Sequence, residues 1–131
     1  MMVLVDTTVW IDFFSAHPLP HVNALETLIV DKEDICICGV ILTETLQGIR
    51  RNSEFSRTQD LFDNLIFLPM HYGIFLLAAE IYRNLRRRGI TIRKPVDCMI
   101  AATAIDNGIP LLHNDKDFIP IEKNFRLTRF S

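Results

Sequence analysis

Met2-Val3-Leu4-Val5-Asp6-Thr7-Thr8-Val9-Trp10-Ile11 opens the chain as an apolar run that stops at a carboxylate, with two hydroxyl residues directly behind it. Four β-favouring apolar residues predict a strand buried on both faces, which is the habit of parallel sheets. Asp6 falls where that strand ends, and Thr7 or Thr8 is placed to cap the helix that follows. In open parallel sheets, ligands bind just outside the carboxyl ends of strands. The acid therefore stands at the edge where function is expected. The competing reading of Asp6 is a simple helix cap.

Working outward, the same signature recurs. Ile35-Cys36-Ile37-Cys38, Leu65-Ile66-Phe67-Leu68 and Ile109-Pro110-Leu111-Leu112-His113 are further apolar runs, and Phe125-Arg126-Leu127-Thr128 is a weak final one. Between them, helical periodicity runs over Thr8 to Phe14, His21 to Val30, Val40 to Ile49, Glu54 to Asn64, His71 to Arg88 and Pro95 to Asn107. Ser53 is expected to cap the fourth helix, and Gly89 and Gly108 are natural stops for the last two. Strands alternating with helices predict an α/β fold with a mostly parallel sheet. At 131 residues the chain suits one domain, residues 1–131, built on one core.

Composition narrows the function classes. Hydrophobic residues make up 49% and charged residues 23%, a globular profile. No apolar run approaches the ~20 residues that span a bilayer. No basic flank precedes the first strand, so no signal peptide is expected and a cytoplasmic location follows. The net charge of −2 offers no bulk attraction to nucleic acid, but leaves room for a nuclease whose own carboxylates offset a local basic patch. The odd cysteine count (Cys36, Cys38, Cys98) argues against a disulfide framework and favours small buried hydrophobes.

Four acids stand in improbable surroundings. Asp6 ends the first strand, Glu44 lies in the helix after the second, Asp97 opens an otherwise apolar helix, and Asp115 follows the fourth strand. All four belong to one rim of a parallel sheet. Converging carboxylates repel one another, and desolvation adds to the cost. A divalent cation resolves that repulsion, and oxygen ligands of this kind suit Mg²⁺ or Mn²⁺. A metal-activated water beside a phosphodiester is the chemistry of metal-assisted nucleases. Taken singly, Glu44 reads equally as a surface helix residue, Asp97 as a complement to a helix N-terminus and Asp115 as a cap, with Asp117 the same cap one register later.

Val5-Asp6-Thr7-Thr8-Val9-Trp10-Ile11-Asp12, Thr43-Glu44, Pro95-Val96-Asp97-Cys98-Met99-Ile100-Ala101-Ala102-Thr103-Ala104 and His113-Asn114-Asp115-Lys116-Asp117-Phe118, in that order, resemble the PIN-domain ribonucleases. Within that group the chain looks like the VapC-type toxins of bacterial toxin–antitoxin pairs. The resemblance implies a three-layer α/β/α sandwich around a parallel sheet of four or five strands. It implies that Asp6, Glu44, Asp97 and Asp115 hold Mg²⁺ or Mn²⁺, with Thr8 supporting them and Asp117 ranking below the four. It also implies homodimers, a VapB-type antitoxin that covers the active-site groove in a heterotetramer or larger assembly, and structured RNA of the tRNA or rRNA class as substrate.

Arg93 and Lys94, just before Asp97, are the expected RNA contacts, ahead of Arg50, Arg51 and the Arg86-Arg87-Arg88 run. His113 is expected to face outward at a strand end, and Trp10 to pack in the core or at a dimer contact rather than stack on a base. Two rival readings stand beside the ribonuclease. One is an aspartyl phosphoryl-transfer domain, for which Thr8 stands where a second Asp would be needed and no Lys clearly follows the last strand. The other is a catalytically silent PIN-like binding scaffold, against which the intact acid set speaks.

Overall fold

Val3, Leu4 and Val5 are completely buried, because their strand lies in the middle of a sheet covered on both faces. A computed structural model describes residues 1–131. In chain order the elements are β1 (Met2–Val5), α1 (Thr7–Phe14), α2 (Pro20–Val30), β2 (Asp34–Cys38), α3 (Gly39–Gln47), α4 (Asn52–Asp63), β3 (Ile66–Leu68), α5 (Tyr72–Arg87), α6 (Pro95–Asn107), β4 (Leu111–Leu112), a 3₁₀ turn (Lys116–Phe118) and α7 (Ile119–Asn124). The four strands lie in the order β3-β2-β1-β4, every pair parallel. Seven helices flank this sheet in an α/β/α arrangement. No helix is long and apolar enough to cross a membrane.

Parallel pairing fixes where the helices point. Each strand enters the sheet at the same edge, so every strand's carboxyl end lies on the opposite rim. α1 and α3 follow β1 and β2 with almost no loop, and therefore start at that rim. α6 runs back across the sheet into β4, so its N-terminus starts there as well. Gly108 ends α6 in the left-handed region, at φ 64°, where a side chain would be strained.

Three local expectations need correction, and one element is additional. The final strand reduces to a single bridge between Leu111 and Arg129, flanked by Leu111 N–H to Thr128 O (2.9 Å) and Phe130 N–H to Leu111 O (3.0 Å). Leu127 is the only fully buried residue of that segment, with Phe125 half-buried against the core, so little apolar burial holds a longer ladder. α7 is an element that the sequence reading leaves unassigned, and Pro120 stands in its first turn, where proline fits. Ser53 lies inside α4, whose N-cap position is Arg51 with no side-chain bond. Asp6, rather than Thr7 or Thr8, caps α1.

The core centres on β1 and α1. Trp10 is fully buried, with ring centroids 5.0 Å from Phe62, 5.9 Å from Phe14 and 6.0 Å from Phe13. All three cysteines are free and buried. Trp10→Ala removes the largest fully buried side chain, and its expected cost is about 3–5 kcal/mol. Urea unfolding checks this: the midpoint should fall with little change in slope, and an unchanged midpoint would contradict the packing described.

Candidate functional site

Asp6 caps α1 with one oxygen and leaves the other without a hydrogen bond, so its two oxygens do different things. Oδ2 accepts the Thr8 hydroxyl at 2.6 Å and the Thr8 amide at 3.2 Å, which satisfies the start of α1. Oδ1 is buried with no hydrogen-bond partner. The cap explanation therefore accounts for half of this carboxylate, which is only 2% exposed.

Glu44 is brought to the same rim by α3. Its Oε1 accepts the Thr7 hydroxyl at 2.7 Å, so consecutive threonines each hold one acid. The sequence suggests a supporting role for Thr8 alone. Thr7 escapes sequence reading because its partner is 37 residues away.

Asp97 lies in the first turn of α6, 3% exposed, and its Oδ2 is a second buried carboxylate oxygen without a hydrogen-bond partner. Asp115 follows β4 and caps the 3₁₀ turn, accepting the Asp117 amide at 2.9 Å. Oxygens of Asp97, Asp115 and Asp117 all lie within 4.8 Å of one another. Asp117, ranked below the others from sequence, is thus part of the tightest convergence. Asp6 and Glu44 stand beyond that trio but close enough to act on Asp97 electrostatically.

Two cations are already engaged with this cluster. Lys94 Nζ is 3.1 Å from Asp115 and 3.8 Å from Asp97. Arg93 Nε is 3.2 Å from Asp117. Both residues expected to touch RNA therefore sit at the rim, paired with its acids.

The electrostatics follow from burial. Desolvation pushes the Asp97 carboxyl up to about 7; Lys94 opposes this, while Asp6, Asp115 and Glu44 reinforce it. Asp6 is also raised, chiefly by burial, against the hydrogen bonds from Thr8. Asp115 is lowered: its partial burial is outweighed by the Asp117 amide, Lys94 and Arg93. Two buried orphan oxygens, an all-oxygen donor set and mutual repulsion fit a hard divalent cation such as Mg²⁺ or Mn²⁺.

His113 corrects an expectation. It is buried rather than facing outward, 4.7 Å from the Phe118 ring between centroids. Its Nδ1 accepts the Asp115 amide at 3.3 Å, so Nε2 carries the proton and donates to Glu122 at 2.8 Å. Arg129 grips the same Glu122 with two bonds, at 2.8 and 2.9 Å. The imidazole thus braces the loop that presents Asp115. Trp10 is core, as described, and Arg86 lies over the Tyr82 ring at 5.5 Å, away from the acids in sequence and partner.

Comparisons with known proteins agree with this fold. A family model described as PIN domain matches residues 3–124. Ribonuclease VapC11 of Mycobacterium tuberculosis is 35% identical over 119 residues, covering 89% of each chain. Among solved structures, VapBC2 from Rickettsia felis, bound to a DNA fragment from its promoter, aligns with a TM-score of 0.78 at 22% identity, covering 99% of this chain and 98% of that one. VapBC-1 from nontypeable Haemophilus influenzae aligns with a TM-score of 0.76 at 18% identity, over 100% and 98%.

The charge cluster has a measurable cost in the metal-free protein. Asp97 titrates near 3.8 when unfolded and at about 7 when folded. Below both values the group is protonated in either state and costs nothing. Stability falls as pH rises between them, and is flat above. In chelator, Asp97→Asn should match the parent's melting temperature near pH 4 and exceed it near pH 8. Calorimetry at the two pH values checks this, and a variant melting below its parent at the higher pH would contradict it.

Proposed function

This chain belongs to the PIN-domain family, and on that premise we propose that it is a Mg²⁺- or Mn²⁺-dependent endoribonuclease, the toxin of a type II toxin–antitoxin pair. The observation that carries the reading is the pair of buried carboxylate oxygens that accept no hydrogen bond, Asp6 Oδ1 and Asp97 Oδ2 (the latter 3.8 Å from Lys94 Nζ), within one acidic rim. A binding scaffold gains nothing from that arrangement and bears its repulsion.

Asp6, Glu44, Asp97 and Asp115 are the proposed ligands, with Asp117 sharing the site. When bound, the divalent ion supplies charge compensation and the Lewis acidity that makes water a nucleophile toward a phosphodiester. The chain's own residues do the positioning. Thr8 fixes the rotamer of Asp6 and leaves its other oxygen free. Thr7 holds Glu44 through a single carboxylate oxygen. His113 holds the Asp115 loop through its backbone. Arg93 and Lys94 are proposed to contact RNA phosphates, their present carboxylate partners being neutralised in the loaded site.

The proposed substrate is structured RNA of the tRNA or rRNA class, cut in a single-stranded loop, in the cytoplasm. The proposed partner is a VapB-type antitoxin, supported by the VapC name of the 35%-identical relative. Homodimerisation is supported by an apolar surface on β3 and the start of α5, where Phe67 is 55%, Phe75 43% and Leu76 48% exposed. The whole of residues 1–131 is taken as one such domain.

Asp6→Asn and Asp97→Asn should each lower Mn²⁺-dependent RNA cleavage by more than about 100-fold while the far-UV spectrum is unchanged; Thr8→Val should cost about 10- to 100-fold, as loss of a residue that orients a ligand does. Wild-type cleavage by either Asn variant, or no Mn²⁺-dependent rise in the parent's melting temperature, would overturn the reading.

A further inference from the structure

Beside the acidic rim is a second concavity, of about 460 Å³, formed where α1 faces α3 and the start of α4. That volume is within the range of small-ligand sites. Glu44 lines it too, so anything seated there is contiguous with the carboxylates. We propose that this groove holds one unpaired nucleotide of the RNA, next to the phosphate being cut. The inference rests on the ribonuclease reading above and names where its substrate is recognised.

The first observation is a hydroxyl out of place. Helical threonines usually return a hydrogen bond to the carbonyl four residues back. Thr27, Thr43, Thr58 and Thr103 all do so here, at 2.8 to 3.0 Å. Thr45 does not. It is 4% exposed, it lines the groove, and its Oγ1 has no partner. A buried hydroxyl left unpaired is costly, unless a ligand's donor or acceptor completes it.

The second observation is the make-up of the walls. Ile11 and Phe14 supply an apolar and an aromatic surface. Arg50 and Arg51 also line the groove, and neither forms an ion pair or a side-chain hydrogen bond. Of its acids, Glu44 belongs to the carboxylate site and Glu54 sits in the first turn of α4. Aromatic surface, one hydrogen-bonding side chain and free guanidinium groups are what single-stranded RNA recognition uses: the base stacks, its edge is read, and its phosphates are paired. A peptide would use the apolar wall but has no general need for two free arginines.

Gly48 makes the idea testable without touching the core. It lines the groove with φ −81°, and a Cβ there meets nothing closer than Thr45 O at 3.8 Å. Gly48→Trp should therefore fold normally and fill the groove, while Gly48→Ala leaves it open. With RNA substrates differing at single loop positions, Gly48→Trp should raise KM about tenfold with kcat nearly unchanged, and lose the parent's base preference at one position beside the cut. Gly48→Ala should match the parent. Arg50→Ala with Arg51→Ala should weaken binding of a short labelled single-stranded RNA to the Asp97→Asn protein, and reduce the salt slope by about 0.7 for each phosphate no longer neutralised. An unchanged KM and base preference in Gly48→Trp overturns the proposal. So does a Gly48→Trp protein that loses affinity for its antitoxin yet keeps its RNA KM, which assigns the groove to the protein partner. A parent that cuts no RNA overturns the ribonuclease reading instead. The binding arm then decides the groove alone: RNA binding that Gly48→Trp weakens supports it, and binding that Gly48→Trp leaves unchanged overturns it.

Discussion

Asp6 and Asp97 are 2% and 3% exposed, and each has one buried oxygen that accepts no hydrogen bond, so the rim of this sheet carries carboxylates that the protein itself satisfies only in part. Much of the architecture follows from that constraint. Parallel strands deliver their carboxyl ends to one edge, and helix N-termini meet them there. Positive ends of helix dipoles and unpaired amides are the most favourable environment that a fold can offer to an acid. The Thr8 amide on Asp6 and the Asp117 amide on Asp115 are this effect at individual atoms. It relieves Asp115, on which Lys94 and Arg93 also act, but not Asp97, where burial outweighs Lys94 and the carboxyl stays raised.

The local solution is a division of labour among oxygens. A hydroxyl or an amide takes one oxygen of a carboxylate and fixes the side chain's direction, and the other is left to face the site. Such an arrangement is destabilising in isolation and is tolerated because the surrounding packing over-determines it. β1 and α1 are anchored in the core, with Val3, Leu4, Val5, Val9 and Trp10 all at 0% exposure. The rim's cost is therefore carried in part by a segment that packing holds in place.

That coupling explains what can be read from the sequence. β1, β2, α6 and their turn into Asp6, Glu44 and Asp97 are legible because burial on both faces produces continuous apolar runs, and an acid at the end of such a run is conspicuous. The partners are not legible. Thr7 reaches Glu44 across 37 residues, and Glu122 meets His113 and Arg129 through α7, an element the sequence reading leaves unassigned. Asp117 reads as a redundant cap, since sequence register cannot say which of two neighbouring acids turns toward Asp97. The tail's failure to form a strand has the same root: one bridge at Leu111 is decided by long-range packing, not by the β-propensity of Phe125 to Thr128.

Net charge is a poor guide to partners for a related reason. A value of −2 averages the acidic rim with the cations around it. Arg93 and Lys94 enter from the connector before α6, and Arg50 and Arg51 from the junction of α3 with α4, so the carboxylates are approached by basic residues from two separate segments. At physiological ionic strength, charges act over about 8 Å. A polyanion approaching this surface would therefore respond to those local cations rather than to the chain's sum. The two sets differ in one respect. Arg93 and Lys94 are held by the rim's own acids, and their availability depends on what neutralises those acids. Arg50 and Arg51 are held by nothing, so their availability does not. Cations that stand outside the site's own charge balance are open to an anionic chain whatever the state of the acids, and in this fold Arg50 and Arg51 at the α3–α4 junction are such cations.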